Sequence, residues 1–252
     1  MQVSNIPIDY RPRTNLLSGK TILVTGAGDG IGRSAALNYA KYGASVLLLG
    51  RTGSKLEAVY DEIENAGGSK PGIIEMDLAT APEDMYTSLA ASLGEEFSCL
   101  DGILHNAALL GDRRPIESAG YANWQDVMQV NVNAQFLLTQ HFLPLLQQAP
   151  TASIIFTSST VGRIGKAYWG AYAVSKFATE GFMQVLASEL ENTSKIRVNS
   201  LNPRATNTAM RRAAYPGENP TTNPTPQDIM PAYLFLMGDD SAGITGKAFD
   251  AR

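Results

Sequence analysis

Gly26-Ala-Gly-Asp-Gly-Ile-Gly32 is the stretch that most restricts how this chain can fold, because of what stands on either side of it. Before it, Thr21-Ile-Leu-Val-Thr25 is a short apolar run of the kind that a parallel sheet buries on both faces. After it, Arg33 to Tyr42 has helical spacing and stops at Gly43. Strand, glycine turn and helix in that order bring the backbone N–H groups of a helix start to a place where a pyrophosphate can lie, and the glycines let the backbone approach it. Thr25, Gly26, Gly28, Gly30, Ile31 and Gly32 are therefore the first candidate dinucleotide-binding residues.

The same alternation continues. Runs at Ser45–Leu49, Ile73–Leu78, Leu100–Leu104, Ala152–Thr157, Ile196–Asn202 and Lys247–Asp250 read as strands. Helical stretches fall between most of them, at Ser54–Ala66, Glu83–Leu93, Trp124–Gln148 and Gly170–Glu191, with another at Ile229–Met237. No repeat, low-complexity tract or linker divides them. The expectation is one α/β domain over residues 1–252: a doubly wound parallel sheet of about seven strands with helices on both faces, preceded by a polar arm at 1–16.

Composition removes other classes. A net charge of -4 without a basic run gives no support for nucleic-acid binding. No stretch approaches the ~20 apolar residues that span a bilayer, and the first fifteen residues lack a signal-peptide pattern. One cysteine, Cys99, forbids an internal disulfide and fits a reducing, cytoplasmic location, with Cys99 expected as a buried apolar residue. Two isolated histidines, His105 and His141, are too few for a metal site.

Chemistry is expected where strands end. Ser45–Leu49 runs into Gly50-Arg51, at the place where a carboxylate would bind the ribose hydroxyls of NAD and a cation the 2′-phosphate of NADP. The carboxylate is missing and Arg51 is present, so NADP(H) is preferred over NAD(H). Tyr172 and Lys176 stand four residues apart, one helical turn on one face. Bringing a phenol from a pKa of about 10 to ~7 takes roughly 4 kcal/mol, of which one cation ~5 Å away supplies about 3. A second cation or a donating hydroxyl would complete the shift. Ser159, thirteen residues upstream at a strand end, faces that helix across a cleft, and Ser158 beside it reads as structural.

These residues resemble a known family. Thr25-Gly26-x-x-x-Gly30-x-Gly32, Asp77-Leu78, His105-Asn106-Ala107-Ala108, Val130-Asn131-Val132, Ser159, Tyr172-x-x-x-Lys176 and Pro203 look like the motifs of short-chain dehydrogenases/reductases. The resemblance runs from about Leu17 to Asp250, and the wording of GRIGKAYWGAYAVSKFATEG is most similar to a bacterial subgroup with unassigned substrates. It implies hydride transfer between a nicotinamide and a carbonyl or hydroxyl carbon of a small organic substrate. Tyr172 would exchange the proton, Lys176 lower its pKa and bind the ribose, Ser159 orient the substrate oxygen, and Asn131 kink its helix and support a relay water. Asp77 and Leu78 would meet adenine, Asn106 and Ala107 the cofactor's middle, and Pro203, Thr206 and Thr208 the nicotinamide side. By the same resemblance Asp29 in the glycine turn argues mildly against NADP(H), because many NADP-preferring relatives carry a basic residue there. Residues 207–228 would form a mobile lid, and the surplus apolar residues on Gly170–Glu191 imply a homodimer or homotetramer. Three departures stand out: His105, Ala108, and Arg204 where relatives have glycine. Arg204 either points outward or crowds the cofactor. With Ala108 it favours an alternative, a non-catalytic NADP(H)-sensing protein on the same fold. Relatives generally run a few residues further than Arg252, into an Asp-Gly-Gly. Arg113 and Arg114 are placed either to meet an acidic substrate or to be solvated.

Overall fold

The apolar runs become a sheet because they are buried from both sides. In Ser45–Gly50, Val46 and Leu48 enter one core, with Ile22, Val24 and Tyr39, while Leu47 and Leu49 enter the opposite one, with Leu23, Ile103 and Phe142. The computed structural model describes residues 3–252; Met1 and Gln2, the start of the expected arm, lie outside the described residues.

Eight strands, β1 (Val3–Asn5), β2 (Thr21–Thr25), β3 (Ser45–Gly50), β4 (Gly72–Glu75), β5 (Gly102–His105), β6 (Ala152–Thr157), β7 (Ile196–Asn202) and β8 (Ala248–Asp250), form one parallel sheet in the order β1-β8-β7-β6-β5-β2-β3-β4. The helices are α1 (Gly30–Lys41), α2 (Gly53–Asn65), α3 (Glu83–Glu96), α4 (Tyr121–Met128), α5 (Ala134–Gln148), α6 (Gly170–Leu190), α7 (Ala209–Ala214) and α8 (Met230–Met237). One face carries α1, α2 and α8, and the other carries α3, α5 and α6. Strand order reverses between β2 and β5, and in a doubly wound sheet the crevice beyond that point is where ligands bind.

Three expectations change. The sheet has eight strands rather than seven, because Val3–Asn5 of the polar arm pairs with Ala248–Asp250. Backbone hydrogen bonds alone recruit this edge strand, and its side chains carry no buried pattern. The single helix expected over Trp124–Gln148 is instead α4 and α5, joined by a π-helical turn at Gln129–Asn133. The run Ile73–Leu78 also shortens, since only Gly72–Glu75 pairs with β3 and Met76–Leu78 leave the sheet.

Candidate active site

The ends of β2 and β5 are held together by one hydroxyl. Thr25 Oγ1 accepts the N–H groups of Asn106 (2.9 Å) and Ala107 (3.0 Å), and it donates to the Leu104 carbonyl (3.3 Å). Asn106 Nδ2 donates back to the Thr25 carbonyl at 3.2 Å. Gly32 is required by packing: a Cβ there would lie 2.2 Å from the Gly26 carbonyl oxygen. Thr25 and Gly32 thus shape the crevice from behind, whereas Gly26, Gly28, Gly30, Ile31, Asn106 and Ala107 line it. The Asp29 carboxylate caps α1 by accepting the Gly30 N–H at 2.7 Å. Beyond that cap the first turn of α1 still presents N–H groups without intrahelical acceptors, facing a glycine-walled opening. A pyrophosphate fits that chemistry.

Two adjoining cavities lie on this edge. The smaller, ≈ 270 Å³, is walled by Gly28, Arg51, Lys55, Asp77, Leu78 and Val130. Asp77 Oδ1 accepts the Ala79 N–H at 3.0 Å, and the side chain is otherwise exposed. Among the described residues no carboxylate pairs with Arg51. Lys55, one turn into α2, reaches across the cavity to Asp29 at 2.9 Å. It holds the Asp29 carboxyl below its usual range and masks the negative charge that argued against a phosphate. Lys55 was legible only in part: a basic residue four positions after Arg51 is visible in the sequence, but its meeting with Asp29 is tertiary.

The larger cavity, ≈ 410 Å³, is walled by Ser159, Trp169, Tyr172, Lys176, Pro203, Thr208 and Tyr215 among others. Gly162, in the turn after Ser159, packs so tightly on α6 that a Cβ would lie 2.7 Å from Lys176 Cβ. This contact sets the serine loop against the lysine. Ser158 donates to the buried Glu180 carboxylate at 2.7 Å, whereas the half-buried Ser159 is at the cavity wall. Asn131, wholly buried in the π-helical turn, accepts the Leu109 N–H (2.7 Å) and donates to Leu109 O (2.9 Å) and Ser175 Oγ (3.0 Å). Its amide anchors the loop after β5 to α6 and does not line the cavity.

Electrostatics differ from the sequence-based estimate. Lys176 Nζ donates to the Thr157 carbonyl at 2.7 Å and lies 5.7 Å from the Tyr172 ring centroid. Burial pushes the Tyr172 phenol up to about 12, with the Ser159 hydroxyl acting in the opposite direction. Burial also pulls Lys176 down to about 8, opposed by Glu180. In the protein without cofactor, desolvation of the phenolate is the largest influence on Tyr172, and it opposes the downward shift expected from a neighbouring cation.

Glu180 was missed in the sequence. One turn beyond Lys176 and 2% exposed, it accepts Ser158, Ser200 (2.5 Å) and Arg163 Nε (2.8 Å). Arg163 continues to Asp250 at 2.8 Å, and Asp250 pairs with Arg204 Nε at 3.2 Å. An alternating chain of charges thus runs from the lysine helix to the turn after β7. It resolves Arg204: the residue takes the left-handed conformation usual for glycine (φ 58°), and its half-exposed side chain turns to Asp250.

Pro203 and Thr206 lie at the same rim, with Thr206 Oγ1 donating to the Pro203 carbonyl at 2.9 Å. Thr208 lines the cavity and caps α7 through the Arg211 N–H at 3.1 Å. Of residues 207–228, Thr208 to Arg211, Ala214 and Tyr215 border the cavity, and the segment is braced by a bidentate Arg211–Glu218 pair (2.6 and 2.6 Å) and by Asn207 N–H to Pro224 O at 2.8 Å. His105 is packed into the core, stacked on Phe156 and bonded to Thr139 at 3.0 Å. Cys99 is half-buried rather than buried, since it sits in the loop before β5. Among the described residues no group of three or more metal-ligating side chains converges, and no helix is long and apolar enough to cross a membrane.

The family model for short chain dehydrogenases matches residues 20–219. The chain belongs to this family. It is 54% identical over 243 residues to the uncharacterized oxidoreductase YciK of Escherichia coli K12, covering 96% of each chain. Among solved structures, it is similar to a short chain dehydrogenase of Escherichia coli CFT073 complexed with NADPH (54% identity, TM-score 0.93, 96% and 100% coverage). A Shigella flexneri 2a protein complexed with NADP is comparable (53%, TM-score 0.92, 95% and 99%). As a short-chain dehydrogenase the chain is an oxidoreductase.

Proposed function

We propose that this short-chain dehydrogenase uses NADP(H), in preference to NAD(H), to interconvert a carbonyl and a hydroxyl on a small organic substrate. When bound, NADP(H) supplies or accepts the hydride. The observation that carries the reading is the shared cavity wall on which Ser159, Tyr172 and Lys176 meet, one glycine turn away from two cations suited to a 2′-phosphate. NADP and NADPH in the two similar structures support the cofactor assignment.

In this reading Arg51 and Lys55 hold the 2′-phosphate, with Asp77 and Leu78 beside the adenine. The α1 start and Gly26–Gly30 hold the pyrophosphate, and Asn106 and Ala107 the central ribose region. Pro203, Thr206 and Thr208 border the nicotinamide. Ser159 orients the substrate oxygen. Burial keeps the Tyr172 phenol protonated at neutral pH, so it can donate to an oxygen that is becoming an alkoxide as the carbonyl is reduced. Lys176, kept charged by Glu180 below about pH 8, stabilises the phenolate left behind and binds ribose hydroxyls. Asn131, whose amide is taken up by Leu109 and Ser175, acts by positioning the loop at Leu109 against α6 rather than through the relay water expected of it. The alternative of a cofactor sensor without turnover rests on Arg204 and Ala108, which both border the larger cavity; the pairing of Arg204 with Asp250 and the wall of Ser159, Tyr172 and Lys176 favour the enzyme.

Val174, Phe177 and Val185 of α6 and Phe136 of α5 are exposed, which supports pairing of these helices with a second copy, as homodimer or homotetramer. A single cysteine supports a reducing, cytoplasmic setting. Tyr172→Phe tests the chemistry: NADPH oxidation across aldehydes and ketones is expected to fall at least about 100-fold, with the NADPH dissociation constant changed less than about twofold. Retained turnover would discard the assignment of the acid.

A further inference from the structure

The larger cavity has one wall that the hydride chemistry leaves unexplained. Trp169 lies between Tyr172 (5.7 Å between ring centroids) and Tyr215 (5.8 Å), so three aromatic rings lead from the acid toward the rim. Leu110, Met210 and Ala214 add apolar lining. Around the outermost ring, Tyr215, stand three cations: Arg211 Cζ at 3.8 Å, Arg113 Cζ at 5.1 Å and Lys166 Nζ at 5.6 Å from the centroid. Arg113 also stacks on Trp169 at 4.5 Å, and Lys166 Nζ donates to Tyr215 Oη at 3.4 Å.

Three like charges gathered on one ring repel one another, and only one carboxylate in contact opposes them. Glu218 takes Arg211 in a bidentate pair. Asp112, next to Arg113 in sequence, is instead turned to Arg114 at 3.3 Å. Among the described residues no carboxylate lies within ion-pair distance of Arg113 or Lys166. Two positive charges are therefore left over beside Trp169 and Tyr215, the rings that line the cavity, in a protein whose net charge is -4. Cation–π contact places the Arg113 guanidinium over the Trp169 and Tyr215 rings, and its N–H donors, with no carboxylate in reach, suit a planar anion. The two centroid distances that link Arg113 to Tyr172 through Trp169 set their separation at no more than about 10 Å, the reach of a monocyclic molecule.

We propose that the substrate is a carbonyl compound bearing a carboxylate, with Arg113 and Lys166 receiving the anion and the aromatic wall seating the apolar body between it and Tyr172. This rests on the reductase reading above. Arg113 and Lys166 are specificity-determining residues in this assignment, and neither touches the atoms that react.

The probes are 4-carboxybenzaldehyde and its methyl ester, which share a carbonyl and differ by one charge. With NADPH, the wild type is expected to favour the acid over the ester by about tenfold or more in kcat/KM. Arg113→Ala should bring that ratio close to one, chiefly through KM for the acid, and Lys166→Ala should lower it less. Arg113→Lys should recover only part, because an ammonium lacks the planar fork. Arg113 is exposed on a loop, so folding of these variants is expected to be unaffected and is checked by far-UV circular dichroism. Equal use of acid and ester, or an acid preference that survives both alanine substitutions, overturns the proposal. If neither aldehyde is reduced, calorimetry of 4-(hydroxymethyl)benzoate against its methyl ester on the NADP-loaded protein decides. Acid-selective binding that disappears in Arg113→Ala upholds the anion site, with the reductase reading decided separately by the wider set of aldehydes and ketones, and unselective binding overturns the site itself.

Discussion

Lys55→Ala is the perturbation that examines the phosphate end most sharply, because Lys55 acts in two ways there. It is a cation beside Arg51 in the smaller cavity, and it covers the Asp29 carboxylate at 2.9 Å. A 2′-phosphate carries about 1.5 to 2 negative charges. At ~5 Å in a largely aqueous dielectric, loss of the ammonium then costs about 1–2 kcal/mol, roughly tenfold in affinity. Uncovering Asp29 adds a repulsion of similar size, so the expected NADPH dissociation constant rises about 30- to 100-fold. NADH lacks the 2′-phosphate, and its constant is expected to rise no more than about threefold. Asp29→Asn in the Lys55→Ala background removes the repulsion while keeping a residue type that caps α1, so the NADPH loss should shrink to about tenfold. The measurement is nicotinamide-fluorescence titration at ~0.15 M salt and again near 0.5 M, where shorter Debye lengths should compress every difference. Equal weakening of NADPH and NADH, or a double variant no better than Lys55→Ala, would refute the reasoning.

Glu180→Gln removes the charge that supports the Lys176 ammonium, so Lys176 should lose its proton below about pH 8 and the alkaline limb of the kcat/KM profile should move to lower pH. An unmoved limb would show that Glu180 does not act on the lysine; the variant should also lose about 3 kcal/mol of stability through the broken buried pair. His105 is held neutral by burial, with its pKa pulled down to about 3 from an unfolded value of 6.5. The unfolded chain therefore binds the extra proton between those values, and stability present above pH 6.5 is lost progressively as pH falls toward 3. Between pH 7 and 5 the loss should be about 2 kcal/mol in urea unfolding, and it should be absent from His105→Asn; matching slopes in both proteins would dismiss it. Arg204→Gly relieves a left-handed arginine at the expense of one partly exposed ion pair, so a gain of about 0.5–1 kcal/mol is expected by the same assay. A loss would mean that the Asp250 contact outweighs the backbone strain.

Much of the site was legible because its parts are local. Strand, glycine turn and helix occupy consecutive residues, and Tyr172 and Lys176 share a helix face by spacing alone. Periodicity also gave the parallel sheet, since doubly buried strands read as continuous apolar runs. The π-helical turn at Gln129–Asn133 did not show in periodicity, because the residues on either side keep a helical pattern. β1 was hidden for a different reason: edge pairing uses backbone groups that every residue possesses.

By itself, then, the sequence determined the fold class, the glycine turn between β2 and α1, and the spacing that sets Tyr172 and Lys176 on one helix face, all features written in short-range order. The tertiary structure alone decided their electrostatics. Burial raises Tyr172, Lys55 masks Asp29, and Glu180 gathers Ser158, Arg163 and Ser200 from separate elements. It also paired Arg204 with Asp250 and brought Arg113, Lys166 and Arg211 onto one ring. Charge interactions depend on distance and local dielectric, and neither exists until the chain has folded.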